Sequence, residues 1–303
     1  MKQPAVSVIL LLLAPLLVKA DLHVVIVEGL GGDPAYAAQF SAQADAIEAA
    51  SSTLTADDNI KSFRGESATR DVILSHFEGL ESRLTANDQI SVFLIGHGSY
   101  DDVEYKFNIV GPDLTGEDIA ASLDAIASSS QLLVNTSSAS GAIVDLLQND
   151  SRVLVLATRS GVERHATRFG GYFADALSNS TADTDKNKRI SVAEAFSFAE
   201  RQVDDYYDSN GQLATEHPRI EGERTARMTL ARLDASRPTI VDVALAELVA
   251  DRDALNTEIE TLRLARDDMD MQDYQAQLLE KMLELARIED AIEAREGGLR
   301  APD

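Results

Sequence analysis

The chain has 303 residues, 45% of them hydrophobic, with 51 acidic against 27 basic side chains and a formal net charge of −24. So acidic a surface repels nucleic acid and anionic lipid, and no basic stripe with interleaved aromatics offsets it. Cysteine is absent, which removes disulfides, thiolate metal sites and a cysteine nucleophile together.

Residues 1–20 read as a secretory signal. Lys2 gives a positive start, Val6 to Val18 is an apolar core, and Val18-Lys19-Ala20 ends on a small residue. The core is shorter than the roughly 20 residues that span a bilayer. The expectation is an exported chain, periplasmic or secreted, that begins at Asp21; an uncleaved N-terminal anchor is the alternative. Loss of the leader removes two lysines and no acids, so the mature chain is more acidic still.

From Asp21 to about Val203 strands and helices alternate. His23 to Glu28 is a buried strand ending in Gly29-Leu-Gly31-Gly32-Asp33-Pro34, and a helix follows to about Ala50. Asn59 to Phe63 is a weaker strand, and Thr69 to Leu84 a helix with Val72, Ile73, Phe77, Leu80 and Leu84 on one face. Ser91 to Ile95 is an apolar strand that delivers Gly96-His97-Gly98-Ser99 at its end. Tyr105 to Val110 reads as a short excursion, and Thr115 caps a helix with Glu117 and Asp118 in its first turn. Gln131 to Asn135 is a second apolar strand, delivering Thr136-Ser137-Ser138-Ala139-Ser140-Gly141 and then a helix to Gln148. Arg152 to Ala157 is a third, ending in Thr158-Arg159-Ser160-Gly161. Helices from Phe169 to Leu177 and from Val192 to about Val203 complete an α/β unit with a mostly parallel sheet covered on both faces. His97, Ser138 and Arg159 fall at three carboxyl ends of strands, where such sheets place their sites.

Residues 204–238 are polar and read as a connecting segment. Residues 239–296 carry Leu245, Leu248, Leu255, Ile259 and Leu262, then Met271, Tyr274, Leu278, Met282, Leu285, Ile288 and Ile292, at helical spacing. A helical hairpin turning near Asp267–Asp270 is expected. The alternative is one long helix in a dimeric coiled coil, a seam that Arg252 and Arg266 interrupt.

The His97-Gly98 strand end and the Ser137-Ser138-Ala139-Ser140-Gly141 turn together resemble the caspase/legumain-like cysteine peptidases of the C13 type, which carry a His-Gly and an Ala-Cys-x-Ser-Gly-like turn on two neighbouring strands. The resemblance covers residues 21–203 and implies a three-layer α/β fold. It implies His97 as the general base, the backbone amides of Gly98 and Ser138 as oxyanion donors, and Arg159 and Ser160 in a substrate pocket. Ser138 stands at the nucleophile position. A thiol near pKa 8.5 ionises beside an imidazole; a serine hydroxyl lies many units higher, at about 1.4 kcal/mol per unit. Two functions follow: a catalytically inactive module that binds an extended peptide or protein segment, or a Ser138–His97 hydrolase. In a third reading these residues only cap strand ends.

A separate motif, Asp183-Thr-Asp185-Lys-Asn187-Lys-Arg189-Ile190-Ser191-Val-Ala-Glu194, resembles an EF-hand calcium loop. Asp183, Asp185 and Asn187 fall at positions one, three and five, Arg189 offers a carbonyl at seven, Ser191 stands at nine and Glu194 at twelve. Lys188 stands where glycine makes the sharp turn. Calcium is therefore an expected ligand, and an acidic loop that caps the following helix is the alternative. The first strand's glycines lack the third glycine of a dinucleotide fingerprint, and no Gly-x-Ser-x-Gly elbow or paired-histidine zinc motif is present.

Overall fold

A computed structural model describes residues 20–234, 243–266 and 269–299. The leader expected at 1–20 lies almost wholly outside them. In chain order the elements are β1 (Leu22–Glu28), α1 (Pro34–Ser51), β2 (Ile60–Phe63), α2 (Arg70–Glu81), β3 (Gln89–Ile95), β4 (Gly98–Tyr100), β5 (Tyr105–Phe107), β6 (Leu114–Thr115), α3 (Gly116–Ala125), β7 (Ser130–Asn135), α4 (Val144–Leu147), β8 (Arg152–Leu156), α5 (Phe169–Ala176), β9 (Arg189–Ser191), α6 (Val192–Ser209), β10 (Arg219–Glu221), β11 (Thr229–Arg232), α7 (Val243–Leu264) and α8 (Met271–Leu299).

Six strands form the central sheet in the order β10-β8-β7-β3-β1-β2. The pairs within β2-β1-β3-β7-β8 are parallel, and β10 is antiparallel to β8. The parallel strands are apolar on both faces because both faces are covered. Val24, Ile26, Phe93, Leu132 and Val155 pack with Phe40 and Ile47 of α1, Phe173 of α5 and Val203 of α6. On the other face Val25, Val27, Val92, Leu133 and Leu154 pack with Ile73 and Phe77 of α2, Leu123 of α3 and Leu147 of α4. The result is a three-layer α/β/α sandwich with a mostly parallel sheet. Burying each large aliphatic or aromatic side chain contributes about 1.5–3 kcal/mol, enough without disulfides.

Three local features differ from the sequence patterns. The Tyr105 excursion is a small antiparallel sheet, β4-β5-β6, that begins at Gly98 directly after His97. The turn after Ser138 opens as a 3-10 segment, Ser140–Ile143, before the four residues of α4, so no regular helix runs from Gly141. Within the expected connector, residues 204–234 carry structure: α6 runs on to Ser209, β10 joins the central sheet and β11 pairs with β9, while 235–238 lie outside the described residues. These strands are only three and four residues long, too short for a periodic signal.

Helices α7 and α8 lie against each other. Leu255, Ile259, Leu262 and Ile292 are buried, and Lys281 Nζ pairs with Glu258 at 2.5 Å. Arg252 Nη1 lies 3.6 Å from Asp234 Oδ2. Met271, Leu279, Met282 and Leu283 remain exposed. Among the described residues no helix is long and apolar enough to cross a membrane.

Candidate active site

The carboxyl ends of β3, β7 and β8 meet at one rim of the sheet, because the three strands are consecutive neighbours in it. Each leaves the sheet in a turn of small residues, and the turns interlock. Gly98 shows how closely: a Cβ there would stand 2.5 Å from Ser137 Oγ, 2.6 Å from Ser138 O and 2.8 Å from Tyr105 OH. Only glycine lets the His97 turn approach the Ser138 turn this far. Gly141 does the same on the other side, where a Cβ would lie 2.2 Å from Ser160 N and 2.3 Å from Arg159 C.

His97 is half-buried. Its Nε2 lies 3.2 Å from the Gly31 carbonyl, in the loop after β1, and its ring meets Tyr36 and Phe40 edge-on at 4.8 and 5.0 Å. A carbonyl only accepts, so Nε2 carries the proton and Nδ1 keeps the lone pair in the neutral ring. No carboxylate bonds to His97 among the described residues.

Ser138 is 4% exposed. The amides on either side are used: Ser137 N donates to Asn135 Oδ1 at 3.1 Å and Ala139 N to Glu163 O at 2.8 Å. Neither the Ser138 N–H nor its hydroxyl has a hydrogen-bond partner among the described residues. Ala139 adopts φ 55°, a left-handed conformation that costs a non-glycine residue about 1 kcal/mol and turns the chain sharply after Ser138. Ser140 Oγ and Thr158 Oγ1 lie 3.1 Å apart, and Gly141 N donates to Thr158 Oγ1 at 3.0 Å, which ties the turn to the end of β8.

Beneath Ser138 lies a buried polar network that the sequence patterns did not single out. Tyr105 OH sits 2.6 Å from Ser137 Oγ and accepts Asn135 Nδ2 at 2.8 Å; Ser137 Oγ is also 3.1 Å from Ser138 O. Burial pushes the Tyr105 hydroxyl up to about 12, against the pull of its bonds to Ser137 and Asn135, so it stays protonated. β5 carries Tyr105 into this position from the small sheet.

Arg159, expected in a pocket, extends a side chain that is 64% exposed, with Nε 3.6 Å from Glu163 Oε1. Ser160 presents its N–H against Gly141 and its carbonyl to Thr158 Oγ1 at 3.3 Å. Two further residues meet at this strand end. Glu163, largely buried, accepts Arg159 N at 2.9 Å and His217 N at 3.1 Å, and lies 2.7 Å from His217 Nδ1. His217 comes from the polar segment before β10, where no pattern marked it.

The acidic loop lies elsewhere, between α5 and α6. Carboxylate oxygens of Asp183, Asp185 and Glu194 come within 4.8 Å of one another. Asp183 accepts Asn187 N at 3.1 Å and Lys188 N at 3.0 Å, while Glu194 accepts Thr184 N at 2.9 Å and Ser191 N at 3.0 Å. Burial pushes Glu194 up, but these bonds to Ser191 and Thr184 outweigh it and hold its carboxyl below the usual range. Lys188 has φ 62°, the left-handed turn that glycine would make without strain. Asn187 Oδ1 is turned back to Arg189 N at 2.8 Å, Arg189 itself opens β9, and Ser191 caps α6 by accepting Glu194 N at 3.3 Å. An all-oxygen donor set of this kind suits a hard divalent cation.

A model of the peptidase C13 family matches residues 42–220. A crystal structure of a Geobacter sulfurreducens protein aligns with 71% of this chain and 100% of that chain, at 11% identity and a TM-score of 0.48. No curated protein matches the sequence.

Proposed function

The chain belongs to the peptidase C13 family, and we propose that it is an exported member that has lost covalent catalysis and holds an extended peptide or protein segment in the former substrate groove. One observation carries this reading: His97 is held by a neutral carbonyl and two aromatic edges. A thiolate and an imidazolium stabilise each other, so a Cys–His pair needs no third charge. A serine hydroxyl needs a base whose positive charge an acid supports during attack. With Ser138 in place and no acid on His97 among the described residues, proton transfer from the hydroxyl lacks that support. What remains is a rim with a free N–H at Ser138 and an exposed cation at Arg159, groups suited to a peptide carbonyl and an acidic side chain.

A Ser138–His97 hydrolase is the second reading. It draws on the unbonded Ser138 hydroxyl and on the Ser138 N–H as an oxyanion donor. Incubating the protein with a random peptide library, followed by mass spectrometry of bound and free fractions, separates the two. Uncleaved peptides retained equally by wild type and Ser138→Ala support the binding module. New peptide termini that vanish with Ser138→Ala support the hydrolase instead.

We propose calcium as the ligand of the 183–194 loop, held by Asp183, Asp185 and Glu194; there it would brace the start of α6 and supply no chemistry to the rim. Calorimetry with calcium chloride tests this directly: absence of binding heat at millimolar calcium contradicts it.

A further inference from the structure

Asp21, where the mature chain is expected to begin, meets a carboxylate at the opposite end of the sheet from His97. β1 is a central strand flanked by β2 and β3, and its first residue is Leu22. Asp21 is already locked in place: its carbonyl accepts Gln89 N at 2.9 Å, and Leu22 O accepts Thr55 Oγ1 at 2.8 Å. The Asp21 nitrogen points at Asp88, with Oδ1 3.0 Å away. Asp88 is 8% exposed, and its other oxygen accepts Thr85 N at 2.8 Å and Thr85 Oγ1 at 2.9 Å. It is a fixed carboxylate aimed at the backbone nitrogen that cleavage after Ala20 would turn into the chain's amino terminus.

We propose that removal of the leader at the Ala20–Asp21 bond creates an α-ammonium group on Asp21 that Asp88 holds as an ion pair. The inference rests on the export reading above. Hydrolysis of that peptide bond consumes one water, leaves a carboxylate on Ala20 and a primary amine on Asp21, and the amine takes up a proton near neutral pH. In the uncut chain Asp88 Oδ1 receives one neutral N–H, from Asp21. After cleavage it receives a charged donor at the same place, and charge-assisted bonds are roughly twice as strong as neutral ones. Asp88 stays ionised there: burial pushes its carboxyl up, but the bonds from Asp21 and Thr85 outweigh this and hold it below the usual range. The nearby titratable groups are the exposed Asp21 carboxylate and His23 on β1, and Arg83, two residues past α2, acts on His23. Burial holds the His23 imidazole below its ordinary value, against the pull of the Asp88 carboxylate.

Two measurements test this separately. N-terminal sequencing of protein recovered after export should begin at Asp21; a retained leader, or a start at another residue, overturns the processing step while leaving the export reading to be judged by location alone. The pairing is tested on protein released from a fusion so that Asp21 is the first residue. Its α-amino pKa, followed by NMR of the 13C-dimethylated amine, should lie about one unit above the ordinary 7.7–8.0, and should return to that range in Asp88→Asn and in urea. A folded-state value of 7.7–8.0 in the wild type overturns the pairing, whatever Asp88→Asn does to folding. A raised pKa stabilises the fold below the unfolded value. The Asp21-first chain should therefore outlast an N-terminally extended chain in urea below pH 7.5, with the gap closing as pH rises through the shifted value.

Discussion

Tyr105→Phe removes one oxygen from the network beneath Ser138 and leaves the ring in place. Asn135 Nδ2, 2.8 Å from that oxygen, loses its acceptor in a residue with no exposure, and an unsatisfied buried donor costs about 1–3 kcal/mol. Ser137 Oγ keeps the Ser138 carbonyl at 3.1 Å, so its loss is one hydrogen bond of roughly 0.5–1.5 kcal/mol. The two losses together come to about 3 kcal/mol, or a fall of roughly 6–12 °C in Tm for a domain of this size. The assay is urea unfolding followed by far-UV circular dichroism, since the chain has no tryptophan. The midpoint should fall with the slope unchanged. Combining Tyr105→Phe with Ser137→Ala should give a coupling of at least about 0.5 kcal/mol. A Tyr105→Phe loss below about 0.5 kcal/mol would refute the argument that this hydroxyl organises the turn.

Glycine substitutions should differ in sign by position. Gly141→Ala forces a Cβ onto the Arg159–Ser160 backbone and should destabilise by about 3 kcal/mol or more, whereas Gly79→Ala, in α2 with open space around it, should stabilise by about 0.5–1 kcal/mol; thermal unfolding of both variants reads this. Lys188→Gly relieves a left-handed lysine and should stabilise the fold by about 1 kcal/mol in urea, and it should tighten calcium binding by calorimetry. His76, packed edge-on to Phe63 at 5.4 Å, has a pKa pushed down to about 4, first by burial and then by the charges of Arg83 and Lys61. Its contribution is whole above pH 6.5 and is lost as pH falls toward 4, so His76→Gln should flatten the pH dependence of the unfolding midpoint across that window.

The α/β frame is legible in the sequence because its parallel strands are uniformly apolar and their ends are punctuated by small residues. His97 and Ser138 were visible for the same reason: each follows a strand whose exit leads to one rim. The partners that decide their chemistry were not. Gly31 reaches His97 through a backbone carbonyl, which leaves no residue-type signal. Tyr105 lies in a three-residue strand, and Glu163 and His217 meet across 54 positions that include two helices. Contacts of that range depend on how the turns fold over the rim, and local periodicity does not encode them. The loop at 183–194 stood out because its acids recur at fixed offsets, whereas its left-handed Lys188 could be read only from backbone angles.

The central claim is a C13-family rim without covalent catalysis. Peptide turnover by wild type, Ser138→Ala and Ser138→Cys, side by side on one library, tests it most directly. The account predicts no turnover by wild type or Ser138→Ala, with any cleavage confined to Ser138→Cys, where a thiol stands at the turn beside the His97 strand end. Turnover by wild type that disappears in Ser138→Ala would contradict it and make Ser138 a working nucleophile.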